Sequence, residues 1–163
     1  ADCLDVGAST GGFTDVMLKH GASRVIALDV GYGQLHERLR QDDRVTVMDR
    51  TNIRTLEEGN LPFQPRFLTV DTAFISVRKF LPVLYRELAT EGTAVILVKP
   101  QFEVGREKVG KGGVVRNDED RFEALHAVRT DALALGFQEI GSMESPISGP
   151  KGNREFLLIL VKR

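Results

Sequence analysis

Residues 2–13 read DCLDVGASTGGF, a short apolar strand pattern that passes through a glycine-rich turn into a helical pattern. After the turn, Phe13, Val16 and Met17 share one helix face, and Gly21 follows as a C-terminal stop. A strand, a glycine turn and a helix in this order form the ligand-binding corner of Rossmann-like folds. The stretch therefore predicts a ligand site at the carboxyl end of the first strand.

Short apolar runs alternate with amphipathic segments along the rest of the chain. We expect strands near residues 3–6, 24–28, 45–48, 67–70 and 93–98, and their richness in Val, Ile and Leu is typical of strands covered on both faces. Apolar stripes at helical spacing lie in residues 80–88 and 122–135. The apolar runs in residues 137–143 and 155–161 instead predict an antiparallel hairpin. The pattern indicates one α/β domain over residues 1–163, a Rossmann-like doubly wound sheet that is mostly parallel with an antiparallel last strand.

The bulk composition is that of an ordinary globular domain. Of 163 residues, 42% are hydrophobic and 28% charged, and the net charge of -1 provides no global attraction to nucleic acid or membrane. Cys3 is the single cysteine, which excludes an internal disulfide. No run approaches the roughly 18 apolar residues of a membrane span, and no signal peptide is visible. We therefore expect a cytoplasmic protein.

Three charged residues stand at the ends of predicted strands. Asp71 follows the run 67–70, Lys99 follows 94–98, and Glu155 precedes 156–161. The carboxyl ends of parallel strands face the ligand crevice, and Glu155 reaches the same edge if its strand is antiparallel. A lysine and two carboxylates in one pocket are suited to handling a hydroxyl proton, although an ion pair joining strand ends is the simpler alternative.

The glycine turn also narrows the choice of ligand. Phe13 follows Gly12 where a P-loop needs lysine, and Ser9 replaces the middle glycine of a dinucleotide turn. A carboxylate at Asp5 would repel a pyrophosphate but suits the amine and sulfonium of S-adenosylmethionine, while Asp29 stands where an acid binds a ribose diol. The alternative is a turn without any cofactor. The residues expected to bind S-adenosylmethionine are Asp5, Gly7, Ala8, Ser9, Thr10, Gly11, Gly12, Asp29, Val30, Asp49, Arg50 and Asp71.

The segment after the fourth predicted strand helps to identify the methylated group. It reads Asp71-Thr72-Ala73-Phe74, without the prolines typical of enzymes that methylate amino groups of bases. Cys3 is misplaced for a cysteine-based carbon methylation. A ribose hydroxyl remains, with Asp71, Lys99 and Glu155 as candidate catalytic residues and Lys99 accepting or steering the hydroxyl proton.

Residues 100–117 read PQFEVGREKVGKGGVVRN, with four glycines and no strand or helix period. Segments of this length without structure are usually functional or disordered. With Lys99 included, five basic and two acidic side chains give the segment a net charge of +3. A solvated surface loop is one interpretation, and a mobile basic lid beside Lys99 is the other. In the second interpretation RNA phosphates are contacted by Arg106, Lys108, Lys111 and Arg116.

Several motifs together resemble the TlyA family, which comprises hemolysin-named proteins of the FtsJ-like ribosomal RNA 2′-O-methyltransferase group. The motifs are DVGASTGGFTD, ALDVGYGQL, VDTAFISVRKFLP, LVKPQFEVGREKVGKGGVVR and GPKGNREFLL, and they cover nearly the whole chain. The resemblance implies S-adenosylmethionine as methyl donor and ribosomal RNA or ribosomal subunits as partner.

The resemblance also implies a Lys-Asp-Lys-Glu tetrad, whose last three members match Asp71, Lys99 and Glu155. The family's first lysine and its amino-terminal RNA-binding domain lie upstream of the part represented here, so we expect this chain to bind cofactor but to methylate RNA poorly. His20, His36 and His126 lack ligand spacing, and we expect no metal. A membrane-active hemolysin, a small-molecule O-methyltransferase and a non-catalytic nucleotide-binding module remain as alternatives.

Overall fold

The computed structural model describes residues 1–163, apart from the side chain of Pro150. Seven strands form one sheet in the order β3-β2-β1-β4-β5-β7-β6. The strands are β1 Asp2–Val6, β2 Arg24–Leu28, β3 Val45–Met48, β4 Phe67–Val70, β5 Thr93–Val98, β6 Phe137–Glu144 and β7 Phe156–Lys162. The helices are α1 Gly12–Lys19, α2 Glu37–Arg40, α3 Leu81–Glu87, α4 Pro100–Glu103 and α5 Asp118–Leu135. The predicted fold class is confirmed.

The first five strands are parallel, and the last two are antiparallel. Strand β7 pairs with β5 in an antiparallel register that places Phe156 opposite Val98. The beginning of β7 therefore lies beside the end of β5, and Glu155 reaches the same sheet edge as Lys99. Strand β6 completes the predicted hairpin with β7.

Alternate residues of the strands point to two different cores. Leu4 and Val6 of β1 belong to the larger core, which includes Leu81 of α3 and Val128 of α5. Cys3 lies on the opposite face, in a smaller core with side chains of α1 and α2. This alternation follows from the period of two in a strand, and it creates the helix–sheet–helix layers of a doubly wound fold.

Helix α5 is the longest helix and has clear signals at both ends. Asn117 accepts a hydrogen bond from the backbone of Glu119, and the first turn is acidic, which favours the positive end of the helix dipole. Gly136 ends the helix in a left-handed conformation with φ of 116°. Within the described residues, no helix combines the length and the apolar character that crossing a membrane requires.

The sheet is not covered completely on the α1 face. An apolar groove of about 450 Å³ there is lined by Phe13, Val16, Phe67 and Val95, among others. The expectation of strands covered on both faces is therefore too simple for β4 and β5, whose odd-numbered side chains reach this groove.

The segment 100–117 is more ordered than its sequence predicts. Pro100–Glu103 forms α4, and Arg106–Lys108 forms a 3₁₀ turn. Val115 is buried, and its backbone donates to Asn153 Oδ1 over 3.0 Å. Glu103 accepts hydrogen bonds from Ser76 Oγ and the Val77 backbone. The prediction of a segment without helical structure is wrong at both turns, because these tertiary contacts have no local sequence signal.

Candidate active site

The glycine turn packs directly against the end of β4. Gly7 has φ of 79°, and a Cβ atom at this position would collide with the backbone carbonyl of Asp71. Both features require glycine. The backbone amides of Gly7 and Ala8 donate to Leu28 O at the end of β2. The turn is therefore fixed between β2 and β4, and a cleft opens above it.

Asp29 organises the floor of this cleft. Its two carboxylate oxygens accept hydrogen bonds from the Ser9 backbone at 2.6 Å and the Gly31 backbone at 2.8 Å. The carboxylate thus joins the glycine turn to the segment after β2. The cleft has a volume of about 330 Å³, and its walls include Val6, Leu28, Ile53 and Phe80.

The cleft contains some of the predicted cofactor residues and not others. It is lined by Gly7, Ser9, Asp29, Val30 and Asp71. The predicted residues that do not line it are Asp5, Ala8, Thr10, Gly11, Gly12, Asp49 and Arg50. Sequence reasoning missed the lining residues Gly31, Thr51, Asn52, Thr72, Ala73 and Ile75, which belong to the segments after β2, β3 and β4. Their common signal is position just beyond a strand's carboxyl end.

Asp5 lies behind the turn, on the α1 face of the sheet. Its side chain is fully buried and accepts hydrogen bonds from Thr14 Oγ1 at 2.7 Å and Thr69 Oγ1 at 3.2 Å. Burial raises the pKa of Asp5 to about 6, against the lowering effect of the two hydroxyls. The expected contact between this carboxylate and a ligand amine is thus corrected: Asp5 connects α1 to β4.

Asp49 and Arg50 also have partners within the protein. Asp49 pairs with Arg40 at 2.7 Å and accepts from the Gly33 backbone, and the Arg40 hydrogen bond lowers its pKa. The Arg50 guanidinium lies 4.3 Å from the centre of the Tyr32 ring. These contacts shape the segment 31–34 beside the cleft.

Lys99 and Asp71 meet at the carboxyl edge of the sheet. Lys99 Nζ lies 2.6 Å from Asp71 Oδ1, and the side chains are 13% and 37% exposed, respectively. Asp71 also lines the cleft. The ammonium group is therefore largely shielded, while its partner faces the space where a ligand would bind.

Glu155 completes this cluster without pairing directly with Lys99 in the described residues. It is 3% exposed, and its Oε2 accepts a hydrogen bond from Gln101 Nε2 at 2.8 Å. Burial raises the pKa of Glu155, Gln101 and Lys99 lower it, and Asp71 raises it. The three predicted catalytic residues thus lie at one edge of the sheet and are electrostatically coupled.

An exposed aromatic side chain stands beside the cluster. Phe74 is 90% exposed with φ of 65°, and its ring lies 5.2 Å from that of Phe102. A bulky residue with positive φ is a backbone outlier of the kind found at functional sites. Phe74 lines the cleft and also a second groove that contains Arg54 and Lys79.

The basic side chains of 106–116 are unequally available to a ligand. Arg106, Lys111 and Arg116 are exposed, and Arg116 donates to the Lys111 carbonyl. Lys108 instead pairs with Glu123 of α5 at 2.7 Å and lies 3.8 Å from Asp120.

The described residues contain no group of three or more His, Cys, Asp or Glu side chains arranged to hold a metal ion.

A family model described as FtsJ-like methyltransferase matches residues 1–162. The chain belongs to the FtsJ-like methyltransferase family. It is 47% identical over 158 residues to the 16S/23S rRNA (cytidine-2'-O)-methyltransferase TlyA of Mycobacterium tuberculosis, a match that covers 97% of the chain and 59% of that protein. This relative confirms the resemblance to the TlyA family.

Solved structures share the fold. A protein of Streptococcus thermophilus, provisionally described as a hemolysin, superposes with a TM-score of 0.95 at 47% identity, covering 99% of this chain and 58% of that one. An S-adenosylmethionine-dependent methyltransferase of Listeria monocytogenes, at 18% identity and a TM-score of 0.72, covers 99% of this chain and 91% of its own and shares the fold alone. The FtsJ-like chain thus spans somewhat more than half the length of its two similar relatives.

Proposed function

We propose that this FtsJ-like chain carries the catalytic centre of an S-adenosylmethionine-dependent methyltransferase that acts on a ribose 2′-hydroxyl of ribosomal RNA. The observation that carries the proposal is the cluster of Lys99, Asp71 and buried Glu155 at the edge of the cleft. A methyltransferase that acts on an already nucleophilic group has no need for such a cluster, whereas a hydroxyl must lose a proton to react.

The cleft supports S-adenosylmethionine as the methyl donor. Asp29 provides carboxylate oxygens for a ribose diol at the end of β2, where such an acid is expected. Leu28, Val30 and Ile53 provide an apolar wall for a base. Gly7 permits close approach to the turn, and Asp71 lies where the cleft meets the catalytic cluster. The residues present therefore fit the donor.

The geometry suggests how a hydroxyl is activated. S-adenosylmethionine supplies an electrophilic methyl group when it is bound. Lys99 Nζ would hold and orient the ribose hydroxyl and, in its neutral amine form, would accept the hydroxyl proton. Asp71, 2.6 Å away, stabilises the ammonium ion that forms. Glu155 contributes a second carboxylate near Lys99. Much of the rate acceleration comes from positioning the hydroxyl.

Ribosomal RNA as substrate is supported by the M. tuberculosis relative, which is named for that activity. On this chain, Phe74 and Phe102 offer aromatic surface for an unstacked base. Arg106, Lys111 and Arg116 offer exposed cations for phosphates. We propose that the protein acts in the cytoplasm, where a ribosomal substrate is found.

The test is methyl transfer by the full-length protein from tritiated S-adenosylmethionine to purified ribosomal subunits, followed by mass-spectrometric mapping of ribose methylation in the RNA. The expected product is a 2′-O-methyl nucleotide that is absent from reactions lacking the protein. Methylation of a base, or transfer only to small molecules, would contradict the proposed function.

A further inference from the structure

We propose that Gln101 is a positioning residue that holds the Glu155 carboxylate in place for methyl transfer, an inference that rests on the proposed function. The Gln101 side chain belongs to α4, and its Nε2 donates to Glu155 Oε2 over 2.8 Å. Neither residue type nor sequence distance predicts this pair, which forms only because β7 runs beside β5.

The local backbone explains why Gln101 can reach Glu155. Lys99 is the residue that precedes α4, and Pro100 occupies the first helical position, where its fixed φ suits a helix start. The Phe102 amide donates to the Lys99 carbonyl, which closes the turn. The three-residue segment 99–101 therefore directs one amine to Asp71 and one amide to Glu155.

The Glu155 carboxylate also lies directly against Gly149. A Cβ atom at this position would collide with both carboxylate oxygens and the carbon between them. The loop is held there by the Gly149 amide, which donates to the Asn153 carbonyl at 2.6 Å, and the Ser145 amide donates to the Glu155 carbonyl at 2.7 Å. The Glu155 carboxylate thus lies against a glycine and accepts from Gln101, its single side-chain donor among the described residues.

Packing alone does not account for a glutamine at position 101. Its second polar atom, Oε1, is buried and has no hydrogen-bond partner in the described part of the chain. An unpaired buried acceptor costs free energy that an apolar residue of similar size would avoid. The favourable part of the side chain is therefore the amide that faces Glu155.

The charges around Glu155 determine how its pKa changes when the Gln101 amide is lost. Lys99 at the end of β5 favours the ionised carboxylate, whereas Asp71 at the end of β4 and burial oppose it. Arg154, next in sequence, pairs with Glu144 and Asp118 instead. Without the Gln101 hydrogen bond, the pKa of Glu155 rises further above its ordinary range.

The experiment is a pH titration of the chain with ¹³C-labelled glutamate side chains, monitored by NMR, with Glu155→Gln used to assign the signal. Gln101→Met is expected to move the Glu155 titration to higher pH. Gln41→Met is the matched control, because Gln41 donates to Glu37 over 3.0 Å on the exposed surface. If Gln101→Met does not fold, Gln101→Asn shortens the donor while retaining an amide, and the same upward shift is expected.

The kinetic readout uses the methyl-transfer assay. For Gln101→Met we expect kcat near neutral pH to fall by roughly 10-fold to 100-fold, the acidic limb of the pH–rate profile to move to higher pH, and cofactor affinity to be unchanged. An unaltered Glu155 titration in Gln101→Met would overturn the inference. Failure of the full-length wild-type protein to methylate RNA would instead contradict the proposed function, and the NMR titration would still decide whether Gln101 controls Glu155.

Discussion

The amine of Lys99 lies 2.6 Å from a carboxylate oxygen of Asp71, and the two residues follow adjacent parallel strands. Parallel pairing brings the carboxyl ends of β4 and β5 together, so this contact depends on the sheet and not on the segments around either residue. The ion pair borders the cleft, and it is the point where cofactor binding and proton handling meet in the proposed mechanism.

Replacement of Lys99 by methionine is expected to abolish methyl transfer while leaving S-adenosylmethionine binding nearly unchanged, because the amine acts on the hydroxyl. Asp71→Asn and Glu155→Gln should each impair turnover strongly and be non-additive with the lysine variant, since the three side chains act as a unit. Turnover is measured by tritium transfer and binding by calorimetry. The control is Lys19→Met, which breaks an exposed pair with Asp15. Near-normal turnover without the Lys99 amine would disprove hydroxyl activation by this residue.

Asp29→Ala is expected to weaken S-adenosylmethionine binding by roughly 1.5–3 kcal/mol, which is the typical contribution of a hydrogen bond to a charged group. The substitution also removes the two hydrogen bonds that the Asp29 carboxylate accepts from the Ser9 and Gly31 backbone amides. Calorimetry on the purified chain measures the change in affinity. Asp42→Ala serves as control. Asp42 also accepts a hydrogen bond from a backbone amide, and it pairs with the Arg44 side chain, but it lies outside the cleft. Equal affinity in both variants, or binding of NAD in preference, would contradict the assigned ligand.

The buried Asp5 carboxyl should make the fold less stable as pH rises. Its pKa in the folded chain is about 6, above the ordinary value of 3.8, so the unfolded chain releases its proton first. Stability from the protonated group is complete below 3.8 and is lost as the pH rises to about 6. Relative to Asp5→Asn, the wild-type free energy of unfolding should fall by about 2 kcal/mol between about pH 4.5 and about pH 7.

Urea denaturation at the two pH values measures this difference. Asp42→Asn is the control, because Arg44 holds the pKa of Asp42 at about 2 and the group stays ionised throughout the range. A pH-independent difference between wild type and Asp5→Asn would show that Asp5 is already ionised in the folded chain at low pH.

Neutralising the basic side chains of 106–116 should lower RNA affinity and reduce its salt dependence, because phosphate contacts release counterions. Arg106→Gln and Lys111→Gln should have larger effects than Lys108→Gln, since Lys108 is already paired with Glu123. Filter binding between about 50 mM and about 200 mM salt measures the slope. Arg66→Gln is the control, since Arg66 is exposed and directly precedes β4, at the opposite edge of the sheet. An equal loss in that control would indicate a non-specific charge effect.

The strands and the charges at their ends were predictable because each leaves a short-range pattern in the sequence. Apolar runs predicted β1 to β5, and the hairpin interpretation of the last two runs placed Glu155 beside Lys99. Asp5 was misplaced although the same rule applies to it. It alternates with Leu4 and Val6, so its side chain points to the α1 face, away from the larger core and the cleft.

The remaining site residues could not be predicted from local sequence. Asn52 and Phe74 line the cleft from segments that follow β3 and β4, and no periodic pattern marks them. Gln101 and Gly149 owe their roles to the docking of β7 against β5. Such contacts join segments far apart in the chain and become visible only when the sheet is assembled.

The antiparallel β7 has a consequence for how the protein becomes active during synthesis. All residues that line the cleft lie between Val6 and Phe80, whereas Glu155 is translated after all of them. The segments that line the cofactor cleft are therefore complete in a nascent chain before Glu155 is translated. The complete catalytic cluster therefore requires translation through β7: a chain that stops before β7 leaves Lys99 and Asp71 without their third partner and is expected to be inactive.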